Sequence, residues 1–353
     1  MMRSKKRIVK IGDVCIGGDE AVAVQTMTKT KTRDVKSTLN QIRRVVQAGC
    51  ELIRCAVVNK DDAEALGQIC KASGIPVIAD IHFDYRLALA AIDAGASKIR
   101  INPGNIGDRN KVEKIIARAK QVSIPIRIGI NSGSLPESVL RKYGHPTAEA
   151  ILETVEHAIA VFDDNDFQDI VISAKGVDVR DTVQVYQVLN EKFNFPLHLG
   201  ITEAGLVFQG SIKSAVGMGI LLYQGIGATI RVSLTSDPVY EVAAAYEILS
   251  ALGLRQHGPV LISCPMCGRC DVDIVSIAQA VEKRLKKYKK FMKIAVMGCV
   301  VNGPGEAREA DFGIACGKGV GAVFAHGQEL RKVKEEQLVD TLFEVIDENI
   351  DNR

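Results

Sequence analysis

A small set of side chains late in this 353-residue chain has the types and spacing to hold a soft metal. Cys264 and Cys267 form a C-x2-C pair, Cys299 stands alone further on, and Asn302-Gly303-Pro304-Gly305 leads into Glu306. Thiolates so arranged suit iron–sulfur clusters or zinc. The pair and the single cysteine supply three ligands. Cys270 and Cys316 are candidate fourths, so counting leaves a four-cysteine zinc site open. Structural zinc normally uses two separate short-spaced pairs, however, and a second separate pair is missing. Glu306 is the other candidate. A carboxylate is harder and more labile than a thiolate and suits a metal position that must open to a substrate oxygen. Spacing alone would favour a solvated loop carboxylate over a ligand.

A second set of reactive residues recurs at the ends of β-rich runs. Strands are predicted at 23–28, 52–57, 76–81, 98–102, 125–131, 169–175, 197–203 and 229–234. Helices are predicted between them at 37–48, 61–73, 86–94, 111–121, 147–163, 179–192, 211–224 and 239–252. Eight strand–helix units in succession predict a (β/α)8 TIM-like barrel over residues 1–253. An open doubly wound sheet is the alternative, but no G-x-G-x-x-G follows the first strand. In a closed barrel alternate residues point inward, and the C-terminal strand ends build the site. That places Asp80 with His82, Arg100 with Asn102, Arg127 with Asn131, Ser173 with Lys175 and Arg231 with Ser233 on the inner face, joined by Arg54 and Glu203. Five cations (Arg54, Arg100, Arg127, Lys175 and Arg231) then face two anions, Asp80 and Glu203. Arginine cannot shed its charge, and burying unpaired charge costs several kcal/mol, so the surplus implies a bound anion. Arginine forks match phosphate oxygens, and a diphosphate ester is the simplest such ligand. The loop 131–135, Asn-Ser-Gly-Ser-Leu, adds hydroxyls and backbone N–H groups. His198 falls at the start of its strand, the wrong end for this site.

Residues 254–259 read as a linker into an α+β domain, 254–353. Strands are expected there at 260–263, 293–297, 311–315 and 321–325, and helices at 273–290 and 334–349. A net charge of +3 gives no strong case for nucleic acid, and the one basic run, Arg284 to Lys290, suits a solvated helix end, with a docking patch for an acidic protein as the alternative. No apolar run is long enough to span a membrane and residues 1–10 lack an apolar signal core, so a cytoplasmic protein is expected. Nine cysteines in such a chain argue against a disulfide framework.

From end to end the chain resembles the short, two-domain bacterial 4-hydroxy-3-methylbut-2-enyl diphosphate synthases of the methylerythritol phosphate route to isoprenoids. The resemblance is carried by the segments 24–28 (VQTMT), 79–83 (ADIHF), 100–105 (RINPGN), 129–135 (GINSGSL), 199–205 (LGITEAG), 263–269 (SCPMCGR) and 301–306 (VNGPGE). It implies a barrel followed by a small iron–sulfur domain, with one 4Fe–4S cluster per chain on Cys264, Cys267, Cys299 and Glu306. It also implies reductive, two-electron ring opening and dehydration of 2-C-methyl-D-erythritol 2,4-cyclodiphosphate, with ferredoxin or flavodoxin as electron donor. The family's substrate contacts fall on Arg54, Arg100, Arg127, Asn131, Lys175 and Ser233, and its acidic positions near the substrate carbons on Asp80 and Glu203. Arg231 and Asn102 are added by strand periodicity alone. Glu203 is the expected proton donor, with Asp80 and His82 orienting the departing hydroxyl. A homodimer is implied, each cluster domain capping the partner's barrel. Cys270 departs from the pattern, standing where family members often carry Thr.

Overall fold

The structure is a computed structural model that describes residues 6–270, 272–299 and 303–350. It divides into two compact units, one up to Arg255 and one from Gln256 onward.

The first unit opens with a hairpin of β1 (Val9–Ile11) and β2 (Val14–Ile16). Eight parallel strands follow: β3 (Ala23–Met27), β4 (Leu52–Ala56), β5 (Val77–Asp80), β6 (Lys98–Ile101), β7 (Ile126–Asn131), β8 (Ile170–Lys175), β9 (His198–Leu199) and β10 (Thr229–Ile230). They pair in the order β8-β7-β6-β5-β4-β3-β10-β9, and a parallel bridge between Ile172 and Leu197 joins the two ends. The barrel is thus closed, its last seam the thinnest.

Around it run α1 (Val35–Gln47), α2 (Lys60–Ala72), α3 (Tyr85–Asp93), α4 (Pro103–Ile106), α5 (Arg109–Gln121), α6 (Glu137–Tyr143), α7 (Ala148–Asp163), α8 (Val179–Lys192), α9 (Val207–Tyr223) and α10 (Pro238–Ala251). Asp34, Asn59, Asp84, Asp108, Thr147, Asp178 and Asp237 each accept a backbone N–H of the helix they precede, which sets where those helices begin. Outward strand residues such as Ile53, Ala79, Ile99, Ile128 and Ile172 pack against the helices in one apolar shell.

Inward residues are layered along the barrel axis. At the floor, Val9, Ile11 and Ile16 of the hairpin pack on Ala23, Leu52, Ile78, Val171 and Ala228. This plug lay below the reach of periodicity, because three-residue strands show too little alternation to read. Above the floor the lining turns polar. The seventh barrel strand is much shorter than the expected 197–203: β9 stops at Leu199, and Glu203 sits at φ +52°, a left-handed conformation incompatible with an extended strand.

The second unit is a five-stranded sheet in the order β11 (Pro259–Ser263), β12 (Met292–Met297), β13 (Phe312–Cys316), β14 (Val320–Ala325), β15 (Gln328–Lys334), the first two pairings parallel and the rest antiparallel. Its helices are α11 (Ile274–Leu285), α12 (Gly303–Glu309) and α13 (Leu338–Asn349). Ile274, Val281 and Leu342 fill one face against Ile294, Ile314 and Val323, while Ala307 and Ala310 lie against Ala295 and Ala315 on the other. Two expectations need correction. Residues 303–309 form a helix rather than a loop, since proline lacks only an N–H that a first helical turn leaves unpaired anyway. The closing helix begins at Leu338, preceded by a 3-10 turn at Glu335–Gln337 and by β15, a largely exposed edge strand that ends at Lys334. No helix of the described residues is long and apolar enough to cross a membrane.

Ile11 is fully buried in the floor. Ile11→Ala is expected to cost about 2–5 kcal/mol of barrel stability through the cavity it leaves, read as a lower denaturation midpoint in urea at an unchanged slope.

Candidate active site

Near the C-terminal end of the barrel strands a cavity of about 270 Å³ is lined by Met27, Arg54, Asp80, His82, Arg100, Arg127, Asn131, Ser173, Lys175, Thr202, Arg231 and Ser233. All five expected cations meet there, and Asp80 is the one carboxylate in the lining. Their strands put them there by register: Asp80 lies across from Arg100, Arg100 from Arg127, and Asn131 from Lys175.

Asp80 is the hub. One oxygen accepts from the Arg100 guanidinium at 3.2 Å, the other lies 3.6 Å from Arg54 Nε and 3.4 Å from His82 Nε2. Burial alone would raise this carboxyl, but Arg54, the His82 hydrogen bond and Arg100 outweigh it and hold it well below the usual carboxylate range. Asp80 is therefore an anion at any working pH. Arg54 also donates to Met27 Sδ, and Arg100 to the Gly129 carbonyl at 3.0 Å. Arg231 leans on Glu241 at 3.4 Å. Burial, then Arg54, pull the Arg231 guanidinium down to about 10 although Glu241 opposes them.

Arg127 and Lys175 have no carboxylate partner among the described residues. Arg127 is 1% exposed, and its Nε and one terminal nitrogen find no hydrogen-bond acceptor there. Burial, with Arg54 and Arg100, drives the Arg127 guanidinium well below its ordinary value. Lys175 is lowered likewise, by burial and then by Arg127, Arg231, Arg54 and Arg100. Two unpaired buried cations facing a cavity make a receptor for a multiply charged anion.

Two expected residues are placed differently. Asn102 is buried but absent from the cavity lining. Its carbonyl oxygen caps α4 through Gly104 N, and its amide donates to Ser134, so it pins the 131–135 loop instead. Glu203 is exposed and lines an adjoining cavity of about 360 Å³ that shares Arg231 and Ser233 with the first.

Other contributors escaped the sequence reading. Glu241 is 1% exposed, accepts Thr26 Oγ1 at 2.5 Å and Leu234 N at 3.0 Å, and pairs with Lys29 at 2.9 Å. It comes from the first turn of α10, where strand alternation has no bearing. Gly129 and Gly200 act by what they lack. A Cβ on Gly129 would overlap Arg100 Nε, and one on Gly200 would come within 2.5 Å of Lys175 Nζ. Lys98 lies two residues before Arg100 and is fully buried, as the same alternation implies.

In the second unit, β11 and β12 run parallel, so Cys264 and Cys299 follow neighbouring strand ends at one sheet edge. Cys264 N donates to Val296 O at 2.9 Å. Cys267 is exposed, Cys299 is 8% exposed, and Glu306 lies exposed in α12. Met266, between the paired cysteines, has φ +59°. Cys316 lies in the apolar core under α11 and α13. Burial, with Glu335, Cys270 and Cys264 adding, pushes its thiol up to about 12, which disfavours it as a thiolate ligand. Cys270 Sγ is directed at Val272 O, 3.3 Å away. Among the described residues no three His, Cys, Asp or Glu side chains stand close enough together to hold a metal ion. Asp271 and residues 300–302, in the two segments that carry the cysteines, lie outside the description. Asn302, expected in the turn, is one of them. Three sulfur donors and a carboxylate fit a soft-metal centre in donor chemistry, with Cys264 and Cys299 following neighbouring strand ends.

Two family models span most of the chain, the GcpE TIM-barrel domain over residues 6–246 and the GcpE protein C-terminal domain over 260–348. The chain belongs to the GcpE family. It is 53% identical to a 4-hydroxy-3-methylbut-2-en-1-yl diphosphate synthase (flavodoxin) of Clostridium perfringens, covering 98% of this chain and 99% of that one. It is also 53% identical to a protein of the same name from Geobacter sulfurreducens, covering 97% of each. A Bacillus subtilis spore coat polysaccharide biosynthesis protein matches in structure with a TM-score of 0.51 at 11% identity, over 70% of this chain and 73% of that one, a likeness of fold alone.

Within this family's barrel, the bare Cα of Gly129 is what lets Arg100 lie flat between Asp80 and the Gly129 carbonyl. Gly129→Ala is expected to lower kcat/KM at least tenfold while the circular dichroism and unfolding midpoint change little, because the displaced guanidinium can swing toward the open cavity.

Proposed function

We propose that this chain converts 2-C-methyl-D-erythritol 2,4-cyclodiphosphate to 4-hydroxy-3-methylbut-2-enyl diphosphate, a reductive step in isoprenoid precursor biosynthesis. The observation that carries the reading is the cavity of five cations against one carboxylate. A cyclic diphosphate supplies the charge that this surplus calls for. The step takes up two electrons and two protons: a ring C–O bond breaks, the neighbouring hydroxyl leaves as water, and a C=C bond forms.

Arg127 and Lys175, lacking a carboxylate partner, hold the diphosphate oxygens, and Arg54, Arg100 and Arg231 complete the clamp. Asn131 and Ser233 add neutral hydrogen bonds at the rim. Asp80 is held ionised and cannot supply a proton, so it fixes Arg54, Arg100 and His82. Proton delivery falls to Glu203, which reaches solvent and borders the same two residues, Arg231 and Ser233, from the adjoining cavity. A 4Fe–4S cluster, one per chain, would be held by Cys264, Cys267, Cys299 and Glu306, and when bound it supplies low-potential electrons and a Lewis-acidic position. The relatives' names point to a flavodoxin as donor, with ferredoxin the other candidate.

The acting species is a homodimer. Along α9 the side chains of Phe208, Ile212, Val216, Ile220 and Tyr223 are all exposed at helical spacing, continuing from Leu206 and Val207, and Lys213 is the helix's one charged residue. Their exposed area is on the order of 700 Å² per chain, above what a monomer usually shows in one patch and near the roughly 800 Å² that each partner of a stable complex buries. Exposed Ala215 and half-exposed Gly219 lie among them and allow a second α9 to approach closely.

Anaerobic purification should yield iron with acid-labile sulfide and turnover of the cyclodiphosphate with a reduced donor. Stoichiometric zinc without sulfide would overturn the cluster assignment. Glu203→Gln should bind the cyclodiphosphate normally by calorimetry yet turn over about a hundredfold more slowly. An Ile212→Glu, Val216→Glu double variant should run as a monomer in light scattering. Mixing Arg100→Ala with Cys299→Ser chains should restore activity if the cluster of one chain serves the barrel of its partner, and continued silence would count against that arrangement.

A further inference from the structure

We propose that His198 is a positioning residue for Lys175. Its buried imidazole, oriented by Thr229, accepts a hydrogen bond from the lysine ammonium and fixes where that cation meets the diphosphate. This rests on the cyclodiphosphate reading above but adds a residue that the sequence assigned to the wrong end of the barrel.

His198 opens β9 and points into the barrel one layer beneath the mouth, with no exposed surface. Its Nε2 lies 3.3 Å from Lys175 Nζ, and its Nδ1 lies 2.6 Å from Thr229 Oγ1 on the neighbouring strand, where the two residues are register partners. Tyr186 from α8 donates to the His198 carbonyl at 2.6 Å and fixes the backbone beneath the ring. The absent side chain of Gly200 leaves the channel through which Lys175 bends toward the imidazole.

An ammonium has donors and no acceptor, so Nε2 must offer its lone pair and the ring proton must sit on Nδ1, facing Thr229 Oγ1. A charged imidazolium is excluded by the same geometry, since it would turn an N–H toward an ammonium. Burial, then Arg127, Lys175, Lys98 and Arg54, hold this imidazole well below its ordinary value and keep it neutral. The groups facing Lys175 are otherwise the cations Arg127, Arg231, Arg54 and Arg100, while Asp80 is engaged by Arg54 and Arg100, and Glu241 by Arg231 and Lys29. His198 is the one acceptor Lys175 has among the described residues. A carboxylate in its place would cancel the charge that the diphosphate needs. A neutral acceptor anchors the lysine and leaves its charge for the ligand.

The sign of the pH effect follows. Burial and neighbouring cations favour the uncharged amine of Lys175, whereas the hydrogen bond to His198 favours the ammonium. Removing that bond lowers the Lys175 pKa further, so the binding-competent form is lost at a lower pH.

The test compares wild type, His198→Leu, His198→Gln and Thr229→Val as reconstituted holoenzymes. For His198→Leu we expect KM for the cyclodiphosphate to rise about tenfold with kcat changed far less, and the alkaline limb of kcat/KM to move down by about one pH unit. His198→Gln, which keeps an acceptor near the Nε2 position, should recover most of both. Thr229→Val should shift both in the same direction by less, and it serves if His198→Leu does not fold. Unchanged KM and an unchanged limb in a folded variant would overturn the proposal, because loss of packing alone moves the melting temperature and not the limb. Calorimetry with inorganic pyrophosphate separates this idea from the assigned reaction. Weaker pyrophosphate binding by His198→Leu supports the positioning role even if the wild type does not turn over the cyclodiphosphate. Equal binding counts against it whatever the substrate.

Discussion

The structure turns on a crowd of cations that cannot neutralise themselves inside a barrel closed to water at its floor. Each buried charge costs several kcal/mol unless it is paired, and arginine keeps its proton under any biological condition. The chain meets this cost in three ways. Asp80 is shared between Arg54 and Arg100, and Glu241 between Arg231 and Lys29. Lys175 is given a neutral imidazole. Arg127 retains nitrogens with no partner among the described residues, and it is there that a ligand's oxygens gain the most.

That distribution explains features that otherwise look incidental. Two inner positions, Gly129 on β7 and Gly200 just past β9, are glycine because long cationic side chains must pass where a Cβ would stand. The hairpin of Val9, Ile11 and Ile16 keeps the floor apolar, so the polar layers above it are screened by protein rather than by bulk water. The second unit follows the same economy in a different chemistry. Parallel pairing of β11 and β12 brings the chain segments after both strands to one sheet edge, and Cys264, Cys267 and Cys299 are placed in those segments rather than in the sheet. The basic run from Arg284 to Lys290 covers the end of α11 and the turn before β12, at the opposite end of that strand from Cys299.

Much of the barrel could be read beforehand because its signal is repeated. Alternation along eight strands identified the inward residues, and Arg54, Arg100, Arg127, Lys175 and Arg231 all line one cavity. The helix over Val179–Lys192 matches its expected bounds, its start marked by Asp178. What stayed hidden is what alternation cannot encode. Glu241 reaches the interior from a helix. Asn102 has the right parity, but the 103–106 turn captures its side chain as a cap. Glu203 follows a strand that ends early, so its parity had no meaning. His198 was set aside because strand ends were treated as the whole site, whereas a lysine at the mouth can bend down to a residue one layer below. Lys98 shares the parity of Arg100, whereas counting back from Glu203 would have turned His198 outward.

For the proposed diphosphate ligand, depth would also give the barrel its selectivity. A shallow ring of cations would bind any phosphate, screened by water and exchanged with salt. Here Arg127 and Lys175 are more than nine-tenths buried and have no carboxylate partner among the described residues, so their charge is balanced only when a ligand arrives. A monoanion brings too little charge to stabilise both, while a compact diphosphate stabilises them together. Anything that binds only the folded state also stabilises it, so the ligand offsets the cost the empty site imposes on the barrel. Recognition and fold stability are coupled through the same buried charges, which is why the cations sit where an empty barrel would least favour them.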